Sequence, residues 1–269
     1  MIGQGTWNVE VRGRAADRAV AALGLGIDLG LTHVDTAEMY GDGAAERLVG
    51  RVVAARRGDV FLATKVLPQH ASFAGTVRAC EASLARLGVD RLDLYMIHWP
   101  GRHPIADTMA ALEHLADTGK VRYLGVSNFD VPELEDAQRA LRTHPIAANQ
   151  VLYHLGDRGM ENRLLPYCAR EGITVVAYSP FGSGAFPHPA SAGGRVLAGI
   201  AARRQVTPRQ VALAFLTRHP SVVAIPKATT AEHVRENAAA ADLRLTAAEI
   251  AIIDQAFPCP PDGAALGMI

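Results

Sequence analysis

Asp35 and Tyr40 stand five residues apart in His33-Val34-Asp35-Thr36-Ala37-Glu38-Met39-Tyr40-Gly41, where an apolar, strand-like run gives way to a loop. A carboxylate at the end of a buried strand costs more than a fold can spare unless a cation meets it. A phenol, with an ordinary pKa of about 10, donates a proton poorly near neutrality unless a positive charge favours its phenolate. Both residues ask for a lysine. Lys65 closes Ala63-Thr64-Lys65, and His98 closes Tyr95-Met96-Ile97-His98 just before Trp99. Taken singly, a histidine after an apolar strand is usually a packed core residue, and a lysine at a strand end a solvated charge. Together they interlock. Lys65 can pair with Asp35 and press its charge against the Tyr40 oxygen, lowering the phenol's pKa, while His98 can hydrogen-bond a carbonyl that Tyr40 protonates. That is machinery for adding a proton to a developing alkoxide.

A proton alone does not reduce a carbonyl, so the set implies a hydride carrier. Ser127-Asn128 and Asn149-Gln150 offer hydroxyl and amide groups suited to a carboxamide, and Tyr178-Ser179 offers a flat ring for stacking, a combination that suits a nicotinamide. Ile225-Pro226-Lys227 is followed by Thr229-Thr230 opening a helix and by Glu236-Asn237 one to two turns on. A cation beside helix N-terminal amides favours phosphate.

The elements that must position these residues alternate along the chain. Apolar runs at 32–34, 60–66, 92–98, 121–126, 148–153, 174–178 and 222–226 predict buried strands, and Met1-Ile2 adds the stub of a first. Between them, stretches at 14–29, 44–55, 74–87, 105–118, 132–141 and 234–241 have helical period. Thr207-Pro208-Arg209-Gln210 and Thr246-Ala247-Ala248-Glu249 supply capping boxes for two more helices. Strand then helix at a spacing of roughly 30 residues implies a parallel sheet flanked by helices. Eight such units closing on themselves predict an α/β protein, a single-domain (β/α)₈ TIM barrel over residues 1–269, with its site where strands run into loops. Asp35, Lys65 and His98 then come from three consecutive strand ends on one rim. The 182–194 stretch, with its Gly and Ser residues, is expected as a long surface loop.

Composition narrows the partners. The 269 residues carry 27 Lys+Arg against 27 Asp+Glu, a net charge of +0 that gives no basic face for nucleic acid. The 49% hydrophobic share is ample for a core. Cys80, Cys168 and Cys259 are odd in number, far apart and outside metal-ligand spacing, so reduced thiols and no metal site are expected. There is no signal-like start and no apolar run of about 18 residues, so a cytoplasmic protein without membrane insertion is expected. With no charge asymmetry to drive assembly, a monomer or weak homo-oligomer is expected.

The motifs together resemble the aldo-keto reductase family. The likeness runs nearly end to end through Gly3-Gln4-Gly5-Thr6-Trp7, Asp35-Thr36-Ala37 with Tyr40-Gly41, Lys65, His98-Trp99, Gly125-Val126-Ser127-Asn128-Phe129, Asn149-Gln150, Tyr178-Ser179-Pro180 and Ile225-Pro226-Lys227. Ala37-Glu38-Met39-Tyr40, the stretch from Gln150 to Gly156 and the tail from Phe257-Pro258 are similar to the short bacterial branch described as methylglyoxal reductases. The resemblance implies NADPH-dependent reduction of small aldehydes, ketoaldehydes and ketones. It implies that Tyr40 is the general acid, with Lys65 and Asp35 tuning it and His98 orienting the carbonyl. Ser127, Asn128 and Gln150 would hold the carboxamide and Tyr178 would stack on the nicotinamide. Lys227, Thr230, Glu236 and Asn237 would grip the adenosine phosphate end, with further cofactor contacts at Thr6, Trp7, Asp35, Ser179, Pro180, Phe181, Ile225, Pro226, Ala228, Thr229 and His233. Trp7, Tyr40, His98 and Trp99 would wall the substrate pocket.

The chain departs from the family pattern in three places. Many members begin with a hairpin that plugs the barrel floor, whereas Met1-Ile2 leads straight into Gly3, which predicts a clipped first strand with an exposed edge. His233 stands where many NADPH-using members carry arginine, and Ala228 replaces a common serine, which softens the preference for NADPH over NADH and rests it largely on Lys227. Only six residues separate His98 from the helix beginning near Ile105, and the tail ends briefly in Ala264-Ala265-Leu266-Gly267-Met268-Ile269, which predicts a shallow, open pocket and little activity on bulky ketones. Two rival readings share these residues: a Schiff-base aldolase using Lys65, and an NADPH-binding sensor with little turnover. His103, His144, His154 and His188 have no ligand spacing, His33 has no assigned role, and Gly24-Leu25-Gly26 lies inside a helical pattern rather than after a strand, so it is no dinucleotide fingerprint.

Overall fold

Eight strands lie parallel in one sheet in chain order: β1 (Gln4–Gly5), β2 (His33–Asp35), β3 (Phe61–Val66), β4 (Leu92–Ile97), β5 (Val121–Ser127), β6 (Ile146–Leu152), β7 (Thr174–Tyr178) and β8 (Val222–Ala224). The computed structural model describes residues 1–262 and 265–269, so Ala264 of the terminal stretch lies outside the described residues. Between and after the strands come α1 (Gly13–Asp28), α2 (Ala44–Val53), α3 (Phe73–Leu87), α4 (Ile105–Asp117), α5 (Val131–Ala140), α6 (Leu164–Arg170), α7 (Ala192–Arg204), α8 (Pro208–Leu216), α9 (Ala231–Ala239) and α10 (Ala247–Ala256). This is the (β/α)₈ barrel, in a single domain.

Strand alternation divides the core into two layers. Outward residues such as Val34, Leu62, Tyr95 and Ile97 join the large cluster between barrel and helices. Inward residues Ala63, Leu94, Met96, Ala148, Val176, Val223 and Ile225 fill the barrel itself. On β2 and β3 the same alternation turns His33, Asp35 and Lys65 inward, so the period of two that builds the core also delivers the polar groups to its axis.

The edge expected beside the clipped first strand does not exist. The strand begins at Gln4 rather than at Met1, and Ile2 bridges to Ala224. Gly3 N donates to Ala224 O at 2.8 Å, Ala224 N to Met1 O at 3.0 Å and Gly5 N to Pro226 O at 3.2 Å. The approach is close: a Cβ on Gly5 would fall 2.6 Å from Ile225 O. At the strands' N-terminal ends His33 stacks on Phe61 (5.2 Å between ring centres) and Phe61 on Tyr123 (6.1 Å), laying aromatic rings across the floor.

Helix starts follow their caps. Thr207 with Gln210 and Thr246 with Glu249 form the expected capping boxes, and Asp130 with Glu133 forms another at the head of α5. Two helices escape the sequence pattern. The seven-residue α6 contains Pro166, and α7 carries Gly193, Gly194 and Gly199, each weakening helical preference, yet Ser191 caps it through Gly194 N. The expected 182–194 loop therefore ends at Ser191. Gly24 and Gly26 lie in the last turns of α1. No helix among the described residues is long and apolar enough to cross a membrane.

Candidate active site

Lys65 Nζ sits at the centre of the barrel mouth with no solvent exposure. Its three hydrogens have three acceptors: Asp35 Oδ2 at 2.7 Å, Thr36 O at 2.8 Å and the Tyr40 hydroxyl at 3.3 Å. Asp35 Oδ1 accepts from Gln150 Nε2 at 2.8 Å, so each oxygen of the buried carboxylate has a partner, and Thr6 Oγ1 donates to the Asp35 backbone carbonyl at 2.9 Å. Burial pulls the Lys65 pKa down, against the attraction of Asp35 and Glu46. Strand ends deliver Asp35 and Lys65, a turn closed by Tyr40 N on Ala37 O brings Tyr40 back over them, Gly41 (φ 58°) and Gly43 (φ 76°) then lead the chain into α2, and His98 follows β4 directly. The ring of Tyr40 lies between Trp7 (4.9 Å) and His98 (5.8 Å), with Trp99 4.8 Å beyond His98.

The sign of the Tyr40 shift departs from the expectation. Burial, reinforced by the Asp35 carboxylate, raises the phenol well above its ordinary value, so Lys65 does not lower it. A low-dielectric pocket penalises the phenolate more than one ammonium, already paired with Asp35, can offset. Tyr40 is thus a neutral phenol ready to donate. Burial and the charge of Lys65 push His98 down to about 2, so its imidazole is neutral too, and its Nδ1 is buried without a hydrogen-bond partner. A neutral imidazole can still donate one N–H to a carbonyl oxygen.

These groups open into a cavity of about 450 Å³. Of the residues singled out from sequence, Trp7, Asp35, Tyr40, His98, Trp99, Ser127, Asn128, Gln150, Tyr178, Ser179, Pro180, Phe181, Ile225, Pro226 and Lys227 line it. Lys65 lies behind Tyr40 and Thr6 beneath Asp35, neither of them on the wall. Ala228, Thr229, Thr230, His233, Glu236 and Asn237 are outside the cavity, on the segment running into α9, where the Thr230 hydroxyl caps the helix through His233 N and Asn237 is buried. Asn149 turns away, donating to Phe129 O at 2.8 Å.

The polar set at the mouth fits a nicotinamide carboxamide. Ser127 Oγ donates to Gln150 O at 2.8 Å, Asn128 Nδ2 to His98 O at 3.1 Å and Tyr178 Oη to Asn128 Oδ1 at 3.0 Å. Their hydrogens are engaged within the protein, so they present mainly acceptor oxygens, which suits an amide NH₂, beside the ring of Tyr178. On the rim Lys227 Nζ reaches Asn8 O at 3.3 Å, leaving further donor hydrogens for an anionic group.

Sequence reasoning missed Gly5, Asn8, Met39, Ser183, Gly184 and Ile269, which also line the cavity. Met39 and Asn8 neighbour motif residues and could have been inferred from them. Ile269 had no such signal. The tail is stitched to the segment after β6 by Arg158 Nη1 to Phe257 O (2.5 Å) and Asn162 Nδ2 to Pro260 O (2.8 Å). Gly267 then passes so close to Asp157 that a Cβ would fall 2.0 Å from its Oδ2. A brief tail therefore still reaches the mouth, and the pocket has a wall where an open side was expected.

A closed parallel barrel with this tyrosine, lysine, aspartate and histidine at its mouth defines a carbonyl oxidoreductase site, and residues 1–257 match the model of the aldo/keto reductase family. The chain belongs to that family. It is 43% identical over 268 residues, 100% of this chain and 94% of the relative, to methylglyoxal reductase YeaE of Escherichia coli. It is 34% identical over 253 residues to glyoxal reductase of Bacillus subtilis, covering 94% of this chain and 87% of the relative. Among solved structures, an aldo-keto reductase from Klebsiella pneumoniae in complex with NADPH superposes with a TM-score of 0.95 at 43% identity, covering 100% of this chain and 94% of that one.

Proposed function

We propose that this chain reduces small aldehydes, ketoaldehydes and ketones, methylglyoxal among them, to alcohols with NADPH, and that Tyr40 is the general acid. The single observation that carries the reading is the buried Asp35–Lys65–Tyr40 chain at 2.7 and 3.3 Å, opening beside His98 into the cavity. Ser127, Asn128 and Gln150 hold the carboxamide of the cofactor, Tyr178 flanks its ring, and Lys227 with the segment to Asn237 holds its phosphate end. Bound NADPH supplies the hydride. His98 donates an N–H to the substrate oxygen and orients it. Tyr40 gives its proton to that oxygen as it gains alkoxide character, which is favourable despite the raised pKa because an alkoxide is a far stronger base than a phenolate. The phenolate left behind lies against the Lys65 ammonium, which stabilises it after the transfer.

Trp7, Trp99, Met39 and Ile269 surround the substrate end. Among the described lining residues Lys227, on the rim, is the only fixed cation, and His98 is neutral, so the site favours uncharged carbonyls over carboxylated ones. The protein acts in the cytoplasm as a monomer or weak homo-oligomer, without nucleic acid or membrane partners. The test follows NADPH oxidation by its near-ultraviolet absorbance, with methylglyoxal as substrate, for wild type and Tyr40→Phe, and measures NADPH affinity by fluorescence quenching. Wild-type turnover with a nearly inactive, NADPH-binding Tyr40→Phe is expected. If both bind NADPH and neither turns over any small carbonyl, the reductase reading fails and a cofactor-binding sensor replaces it.

A further inference from the structure

The loop that carries Tyr40 is joined to the segment that carries Lys65 by a side chain that touches neither. Between β2 and β3 the parallel ladder runs through Phe61 N to Thr32 O (2.9 Å), Thr36 N to Ala63 O (3.0 Å) and Glu38 N to Lys65 O (3.4 Å). In a regular parallel ladder the next bond would run from Leu67 N to the backbone carbonyl of residue 38. Here the chain turns away at Met39 to bring Tyr40 over the mouth. Leu67 N instead donates to Glu38 Oε1 at 2.6 Å. The same oxygen accepts from His70 Nδ1 at 3.0 Å, and the Glu38 side chain is only 9% exposed.

We propose that Glu38 is a positioning residue for proton transfer: its carboxylate replaces the missing backbone acceptor of the ladder, letting the chain turn early while clasping the Tyr40 loop to the segment after Lys65. The clasp acts on the longest of the three Lys65 contacts. Asp35 and Thr36 O are bonded at 2.7 and 2.8 Å, but the Tyr40 hydroxyl lies at 3.3 Å, so its distance depends on how the two segments are held. Within the loop, Tyr40 N bonds Ala37 O and Ala45 N bonds Tyr40 O, contacts that would move with the loop rather than fix it to β3. The reach is specific. Glutamine keeps an acceptor at the same distance from the backbone, whereas aspartate is one methylene too short. The proposal rests on the reading of Tyr40 as the proton donor.

The experiment compares wild type, Tyr40→Phe, Glu38→Ala, Glu38→Gln and Glu38→Asp with NADPH and methylglyoxal, reading kcat, its solvent isotope effect, NADPH affinity and the thermal midpoint. Misplacing the donor makes its proton transfer slower, so Glu38→Ala is expected to lose roughly tenfold to a hundredfold in kcat with a larger solvent isotope effect, while NADPH affinity stays within about twofold. Glu38→Gln recovers most of the rate and Glu38→Asp does not. The proposal is overturned if Glu38→Ala keeps the wild-type kcat and isotope effect, or if rate, cofactor affinity and thermal midpoint fall together. Should Glu38→Ala fail to fold, the other pair decides: equal rates and isotope effects for Gln and Asp overturn the proposal, and Gln near wild type with Asp slow supports it. A Tyr40→Phe enzyme that keeps its rate instead overturns the role of Tyr40 itself.

Discussion

The two arcs of the barrel mouth are built differently. On one, β2, β3 and β4 deliver Asp35, Lys65 and His98 from strand ends; Asp35 and Lys65 are 1% and 0% exposed, and every hydrogen of the lysine ammonium has an acceptor. On the other, loops after β5, β7 and β1 present Asn128, Ser179, Ser183 and Asn8 with φ of 61°, 49°, 49° and 55°. Non-glycine residues in the left-handed region are strained and persist where the surroundings over-determine them. A proton moves over a fraction of an ångström and demands rigid strand ends. A large cofactor must be met at several separate points, which suits loop residues held in place by their surroundings.

The largest effect that would test this division is chemical. Tyr40→Phe removes a hydroxyl from the rigid arc and leaves the other untouched, so kcat for NADPH oxidation with methylglyoxal should fall by about 10²–10⁴ while NADPH affinity changes little. A parallel loss of affinity would show that the two arcs are one unit. Next comes Lys65→Met, which leaves the Asp35 carboxylate buried without its cation. It should cost about 3–5 kcal/mol in urea unfolding as well as most of the activity. A loss below about 1 kcal/mol, the value of an exposed pair, would mean that water reaches Asp35.

On the loop arc the expected change is smaller and confined to binding. Lys227 stands on the exposed rim with Asn8 O as its partner. Lys227→Ala should weaken NADPH about tenfold and NADH hardly at all, with kcat at saturating cofactor unchanged. An unaltered NADPH to NADH ratio would move phosphate recognition to α9 and His233.

The same contrast explains how much of the molecule was legible in its sequence. The rigid arc could be read because strand ends are marked by short-range signals: Asp35, Lys65 and His98 each terminate an apolar run, and a parallel barrel places consecutive strand ends side by side. The sign of the Tyr40 shift could not be read, since it depends on how completely the phenol is buried. Ile269 could not be read either, because its place comes from Arg158 and Asn162 pinning the tail across about a hundred residues of chain. Closure of the barrel was expected, but the bonding that achieves it beside a two-residue β1 was equally hidden. It needs the backbone of Met1, Gly3 and Gly5 to meet β8, and such contacts leave no mark on composition except the glycines.

The smallest expected effect separates floor from mouth by pH. His33, stacked on the floor with its Nε2 unpartnered, is lowered by burial to about 4, and His98 at the mouth to about 2. Both are neutral when folded, whereas in the unfolded chain they take up protons from about pH 6.5 downward. Their stabilising effect is therefore complete above about pH 6.5 and is lost as the pH falls toward the folded values, by about 2 kcal/mol each at pH 5. His154 and His219, also lowered by burial, act in the same direction. Glu113, which burial opposes but three backbone amides and the Thr143 hydroxyl hold at about 2, and Glu249, held at about 2 by Arg204, give up their contributions only below the ordinary carboxylate range, so the window from about pH 7 to about pH 5 separates the histidines from these carboxylates. The rate should behave differently. With His98 neutral and Tyr40 protonated throughout, kcat should stay flat from about pH 5 to about pH 9 while the urea midpoint drops on the acid side. His33→Phe should remove part of that drop and leave kcat unchanged, because the His33 ring packs on Phe61 with its Nε2 unpartnered and bonds none of the groups at the mouth. A kcat that climbs as the pH falls through about 6.5 would instead make His98 an imidazolium in the working enzyme, and would move the acid role toward it.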